Sequence, residues 1–171
     1  MKNANFDQPF DMMEACHERL QRMLALIGKL RAHMAGHGAD EQAQQAARDV
    51  MRYFDQAAPQ HHEDEEKHVF PPLLARGEAV DVVRRLQRDH VWMEEGWREA
   101  RAVLDDVAHG EVAALSPSQE ATLQDFAELY ADHILAEEQI AYPAAQRTMD
   151  DAGVAEMGRE MAARRGAATP R

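Results

Sequence analysis

Residues 61–71 have the sequence HHEDEEKHVFP, and residues 133–143 repeat its pattern as HILAEEQIAYP. Counted from the leading histidine, both repeats have Glu at the fourth and fifth following positions, an aromatic residue at the ninth and Pro at the tenth. Because residues i and i+4 of an α-helix share a face, each repeat presents an imidazole beside a carboxylate. Such a pair is typical of transition-metal ligands. Only His61, and not His62, matches the spacing of the second repeat, so the predicted pairs are His61 with Glu65 and His133 with Glu137.

The composition is typical of a single helical domain. Of the 171 residues, 45% are hydrophobic but only 6% are aromatic, and good helix formers such as Ala, Leu, Glu, Gln and Arg abound. No apolar run is long enough to span a bilayer, and the N-terminus lacks a signal-peptide core. We therefore expect a soluble, cytoplasmic protein that does not bind membranes.

Charge and cysteine content exclude two further classes. The net charge of -12 argues against nucleic-acid binding, which needs basic patches to neutralise phosphates. The single cysteine, Cys16, excludes an internal disulfide and a zinc or iron–sulfur site made of several cysteines. We expect Cys16 to be a free, partly buried thiol.

Apolar residues recur at helical spacing in four long segments. The predicted fold is an all-α, up-down-up-down four-helix bundle over residues 1–150, with a short C-terminal helix and a disordered tail over residues 151–171. The predicted helices cover residues 9–34, 40–71, 78–109, 116–147 and 151–165.

Several residues predict where these helices begin and end. Asp40 and Ser116 are expected to cap the second and fourth helices, and Ser116 opens a capping box. Pro59 is expected to kink or briefly break the second helix, because proline removes a backbone donor and clashes with the preceding turn. Pro71 and Pro72 are expected to end that helix.

Each of the four long helices contributes one inward histidine. His90 follows His17 by 73 residues and His133 follows His61 by 72, so the chain resembles a duplicated helical hairpin. Two or three helices also present an inward carboxylate four residues after the histidine. The seven candidate metal ligands are His17, His61, Glu65, His90, Glu94, His133 and Glu137.

These carboxylates predict a metal site. An ionised carboxylate inside a bundle costs several kcal/mol unless a cation compensates it, and the inward stripes contain no Lys or Arg. Mixed imidazole and carboxylate ligands favour iron, manganese or zinc over magnesium or calcium. Six or seven ligands are more than one tetrahedral zinc ion can take. They suit two metal ions bridged by Glu65 and Glu137. A hydrogen-bonded polar core is the alternative.

This pattern resembles the hemerythrin-like, or HHE cation-binding, domain: His on the first helix, His-x-x-x-Glu on the second, His on the third and His-x-x-x-Glu on the fourth. The resemblance extends over residues 10–147. It implies a four-helix bundle with a non-haem di-iron centre, and functions in dioxygen binding, iron or oxygen sensing, or responses to reactive oxygen or nitrogen species. It also implies two pairs of histidine ligands and one pair of bridging carboxylates: His17 with His61, His90 with His133, and Glu65 with Glu137.

Two positions differ from the oxygen-carrying hemerythrins. Those proteins have a second histidine on the third helix where this chain has Glu94. They also have an aspartate five residues after the fourth-helix histidine, where this chain has Glu137 after four. Glu94 as a ligand would add negative charge, stabilise ferric over ferrous iron and disfavour reversible dioxygen carriage.

The remaining polar residues have supporting roles in this interpretation. Glu66 and Glu138 are expected to accept hydrogen bonds from histidines of neighbouring helices, and Tyr130 to lie just above the site. Surface or indirect roles are expected for the other histidines: His33, His37, His62, His68 and His109.

Three functions remain open from the sequence. The leading hypothesis is a protein that senses, buffers or stores iron, dioxygen or a related small molecule. The alternatives are an enzyme that reacts with peroxide, dioxygen or nitric oxide at the same site, and a structural bundle that holds zinc or no metal. The expected partner is a small diatomic or peroxide ligand, and a homodimer through an exposed helix face is compatible with the sequence.

Overall fold

Every regular element of the computed structural model, which describes residues 5–167, is helical, and this confirms the predicted all-α class. Within that range no helix is both long enough and apolar enough to cross a membrane. Two of the elements are π-helical turns, Glu65–Val69 and Glu137–Ala141. The α-helices are α1 (Pro9–His37), α2 (Glu41–Asp64), α3 (Phe70–Arg76), α4 (Val80–Ala108), α5 (Pro117–Glu128), α6 (Ala131–Ala136), α7 (Tyr142–Thr148) and α8 (Asp151–Arg164).

The predicted helix caps are present. The Ser116 hydroxyl accepts a hydrogen bond from the Gln119 amide at 3.2 Å, and the Gln119 side chain accepts one from the Ser116 amide at 2.9 Å. Asp40 Oδ1 accepts a hydrogen bond from the Ala43 amide at 2.9 Å at the start of α2. These bonds satisfy amides that have no partner within the first helical turn.

The prolines do not end or break the helices as expected. Helix α2 continues through Pro59 to Asp64 without the break that was one of the two predicted outcomes, and Ala58 and His61 in this stretch are buried. Pro71 and Pro72 do not end the helical chain either, because they fall in the first turn of α3, where an amide donor is not needed. The chain turns only after Arg76, at Gly77, whose φ of 69° suits glycine.

Both π turns lie at corresponding positions of the two repeats. The Phe70 amide bonds to the Glu65 carbonyl, and the Tyr142 amide bonds to the Glu137 carbonyl, each five residues earlier. A proline stands two residues after the end of each turn, and its ring would clash with the carbonyl four residues before it in a regular α-helix. The wider π turn relieves that clash and places one extra residue in the helix.

The extra residue changes which side chains face inward after each π turn. Ile140 stands seven residues after His133, so α-helical spacing predicts it on the same inner face. It is 43% exposed instead, whereas Ala141 and Tyr142 are buried. The predicted fourth helix is also interrupted earlier, between Glu128 and Ala131. Neither Gly nor Pro marks that interruption in the sequence.

Backbone contacts divide the chain into two units. The first unit comprises the described parts of residues 1–19, 61–87 and 134–171. Its core includes Phe10, Phe70, Leu86, Tyr142 and Met161, which are at most 5% exposed. Each large apolar side chain buried in this way contributes about 1.5–3 kcal/mol.

The second unit comprises residues 20–60 and 88–133. Its core contains an aromatic cluster in which the Phe54 ring centroid lies 5.0 Å from Trp97, 5.1 Å from Phe126 and 5.9 Å from Tyr130. The indole N–H of Trp97 donates a hydrogen bond to Asp55 at 3.0 Å. Tyr130, which the sequence suggested for a place above the metal site, therefore packs within this aromatic core.

Candidate metal centre

Four of the predicted ligands meet in the first unit. Helix α1 supplies His17, α2 supplies His61, and the two π turns begin with Glu65 and Glu137. One donor atom from each residue lies within 4.8 Å of the other three. The two glutamates are 0% exposed, and the two histidines are 1% and 2% exposed. We refer to these four residues as the metal cluster.

Each imidazole of the metal cluster faces a carboxylate. His17 Nε2 lies 3.1 Å from Glu137 Oε2, and His61 Nε2 lies 3.3 Å from Glu65 Oε1. The two imidazole rings meet edge to face, with 4.8 Å between centroids. The predicted pair of His61 and Glu65 within the first repeat is present. His17 of α1 contacts Glu137, the corresponding carboxylate of the second repeat.

The charges of the metal cluster favour a bound cation. Burial alone would lower the pKa of His17, but the hydrogen bond and charge of Glu137, together with Glu65 and Glu138, raise it to about 9. Burial lowers the pKa of His61, and the Glu65 charge opposes that effect only in part. His61 Nδ1 is buried without a hydrogen-bond partner. Two imidazoles and two carboxylates in a dry site are a fitting donor set for a transition-metal ion.

Carboxylates outside the metal cluster orient two of the predicted histidine ligands. His17 Nδ1 lies 2.9 Å from Glu138 Oε1, which confirms the acceptor role predicted for Glu138. Since an ionised carboxylate only accepts, Nδ1 is the donor and Nε2 faces the metal cluster. His133 Nδ1 lies 3.2 Å from Asp89 Oδ2 within the second unit, an interaction the sequence did not suggest. Glu66 accepts a hydrogen bond from Gln87 at 2.9 Å.

His90 and His133 form a pair in the second unit. Both are buried, at 8% and 3% exposure, and their ring centroids lie 4.9 Å apart. Glu94, in contrast, is exposed, so the prediction that it points inward was wrong. The inner face of α4 follows His90 with Met93 and Ala100, and this places Glu94 beyond its edge.

The profile of the Hemerythrin HHE cation binding domain matches residues 8–145. The chain belongs to this family. An uncharacterized protein of Haemophilus influenzae is 25% identical over 163 residues, which cover 95% of this chain and 92% of the relative. The matched region of this hemerythrin-family chain contains every predicted ligand and ends before α8.

One residue of this hemerythrin-family site has a role that was not predicted. The Tyr142 hydroxyl donates a hydrogen bond to Glu65 Oε1 and lies 3.2 Å from His17 Nε2. Its ring stacks on the His17 ring at 5.5 Å between centroids and an angle of 12°. Burial, followed by the charges of Glu65 and Glu137, raises the Tyr142 pKa well above its usual value. The aromatic residue shared by both repeats was the sequence signal for it.

Helix α8 contacts the chain directly beside the metal cluster. Asp64, which precedes Glu65 and is fully buried, accepts a hydrogen bond from Arg164 at 2.9 Å. Arg165 adds two bonds to Asp64, at 2.9 Å and 2.6 Å. Because these partners are 100 and 101 residues away in sequence, no local pattern indicates them.

Two of the other histidines contact carboxylates. His33 Nε2 lies 2.9 Å from Asp40, and His68 Nε2 lies 2.6 Å from Glu160. His37 and His109 are exposed, as predicted. Cys16 is buried, and burial raises the pKa of its thiol.

Proposed function

We propose that this protein is a non-haem di-iron protein of the hemerythrin type that senses, buffers or stores iron, dioxygen or reactive oxygen or nitrogen species. The observation that carries the proposal is the metal cluster, in which two imidazoles and two carboxylates converge without exposure to solvent. That donor set suits iron. Manganese and zinc accept the same donors, so the experiment below measures which metal is bound.

The proposed second ion uses the ligands of the second unit. His90 and His133 are a buried pair, and His133 has an outer carboxylate, Asp89, as His17 has Glu138. The internal duplication supports equal roles for the two pairs, on an up-down-up-down four-helix bundle. Glu94 is left out because it is exposed. The proposed ligands are His17 and His61 for one ion, His90 and His133 for the other, and Glu65 and Glu137 as bridges.

The proposed external ligand is a small diatomic molecule or peroxide. Bound iron supplies redox chemistry and open coordination positions, and the buried metal cluster suits a ligand of few atoms. A net charge of -12 opposes contact with nucleic-acid phosphates. We place the protein in the cytoplasm, where a single cysteine remains reduced.

Metal analysis and an absorption spectrum test the proposal. Chelator-treated protein is loaded anaerobically with ferrous iron, desalted and exposed to air. We expect two iron atoms per chain and the absorption bands of a dinuclear ferric centre. Glu137→Ala should lose bound iron, whereas Glu94→Ala, which removes an exposed carboxylate, should retain it. Substoichiometric iron in the wild type, or equal loss in both variants, would contradict the proposal.

Peroxide consumption by the same samples separates binding from catalysis. A protein that only senses or buffers should consume no more than about one equivalent of peroxide per site. Sustained consumption that is lost in Glu65→Ala would indicate an enzyme instead. Preferential retention of zinc, without a ferric spectrum, would indicate a structural site.

A further inference from the structure

The two repeats differ at one chemically important position. Both have an aromatic residue directly after the π turn, but the first repeat has Phe70 and the second has Tyr142. Both rings are buried in the core of the first unit, at 0% and 1% exposure. The difference is therefore one hydroxyl group, which a buried site must provide with partners.

That hydroxyl contacts two ligands of the metal cluster. It donates a hydrogen bond to Glu65 Oε1, and it lies 3.2 Å from His17 Nε2. Both contacts cross from the second repeat to other helices, since Glu65 begins the first π turn and His17 lies in α1. The Tyr142 ring, stacked on the His17 imidazole, holds it from a second direction.

Glu138, the residue after Glu137, completes this arrangement through its contact with His17 Nδ1 at 2.9 Å. The second repeat thus provides one residue of the metal cluster, Glu137, and two groups, Glu138 and Tyr142, that orient members of the cluster from other helices. Phe70 has no hydroxyl with which to do the same from the first repeat.

We propose that Tyr142 is a positioning residue that holds Glu65 and His17 in ligand geometry before a metal ion arrives, so that the position at His17 and His61 fills first. The inference rests on the proposed metal-binding function. A hydrogen bond to Oε1 selects one orientation of the Glu65 carboxylate. Donors already held in place bind more tightly because less freedom is lost on binding, and removing such outer partners typically weakens metal affinity about 10- to 100-fold.

Stepwise titration of chelator-treated protein with Co(II) tests this inference. Tyr142→Phe removes only the hydroxyl, and Tyr53→Phe is the matched control, since Tyr53 is half-buried against Phe54 in the second unit. In Tyr142→Phe we expect about 10- to 100-fold weaker binding of the first Co(II) ion, with a changed visible spectrum for that ion and unchanged affinity for the second. Tyr53→Phe should behave as the wild type.

Several results would overturn the inference. These are unchanged affinity in Tyr142→Phe, equal weakening of both ions, or, in the ferric wild type, a phenolate-to-iron charge-transfer band that Tyr142→Phe abolishes. The last result would make Tyr142 a ligand. If the wild type binds no Co(II) or iron at all, the proposed function fails first. If it binds both ions and only the Tyr142→Phe prediction fails, the proposed function stands.

A measurement on the wild type does not depend on the folding of Tyr142→Phe. The chain contains three tyrosines, so 3-fluorotyrosine labelling gives a small set of fluorine resonances. Tyr53→Phe and Tyr130→Phe assign two of them and leave that of Tyr142. We expect one buried resonance, that of Tyr142, to shift during the first equivalent of Zn(II) and to stay constant during the second. A shift only at the second equivalent, or none, would contradict the proposed order.

Discussion

The metal-free protein should lose stability as the pH rises from about 6.5 to about 9, because His17 then gives up a proton that the folded state binds more tightly. Its pKa is raised from 6.5 to about 9, chiefly by Glu137 against the effect of burial. A pKa raised in the folded state adds stability that is complete below the unfolded pKa and is lost as the pH passes the folded one. At about 1.4 kcal/mol per pKa unit, the loss is about 3 kcal/mol.

Urea unfolding of chelator-treated protein at several pH values measures this loss. The free energy of unfolding should fall by about 3 kcal/mol over that range in the wild type and should be nearly constant in His17→Gln. Saturating Zn(II) should abolish the fall, because the ion replaces the proton. A wild-type free energy of unfolding that does not change with pH would refute this account of the metal cluster. So would a His17→Gln variant whose free energy of unfolding falls as steeply as that of the wild type.

Three substitutions test the structure around the site through the unfolding free energy of metal-free protein. Asp64→Asn should destabilise by about 3 kcal/mol, since it breaks buried ion pairs with Arg164 and Arg165; a loss below about 0.5 kcal/mol would contradict this. Gly158→Ala should cost about 1–3 kcal/mol, because a Cβ there would lie 2.0 Å from the Phe6 carbonyl oxygen; wild-type stability would contradict the contact. Ser116→Ala should cost about 1 kcal/mol through the lost cap, and Ser116→Asp should restore it.

The residues of the metal cluster could be predicted because helix periodicity is local. His61 and Glu65 are four residues apart, so any regular helix places them side by side, and the spacing of the second repeat favoured His61 over His62. The same argument failed for Glu94. A four-residue spacing from His90 does not decide on which edge of the inner helix face Glu94 lies. In the structure Met93 takes the inward position of that turn.

Two features could not be obtained from periodicity. A π turn shifts every later side chain, so an inner face extrapolated at α-helical spacing assigned Ile140 to the core instead of Ala141 and Tyr142. The proline after each repeat was the sequence signal for that turn. The Asp64–Arg165 ion pair joins residues 101 positions apart, and only the tertiary structure brings them together.

Anomalous scattering from crystals grown with ferrous iron tests the central claim most directly. We expect two iron peaks per chain, one of them bonded to His17, His61, Glu65 and Glu137, with Glu94 outside bonding distance. If the crystallised protein retains iron but shows no iron peak at the metal cluster, that result would contradict the central claim.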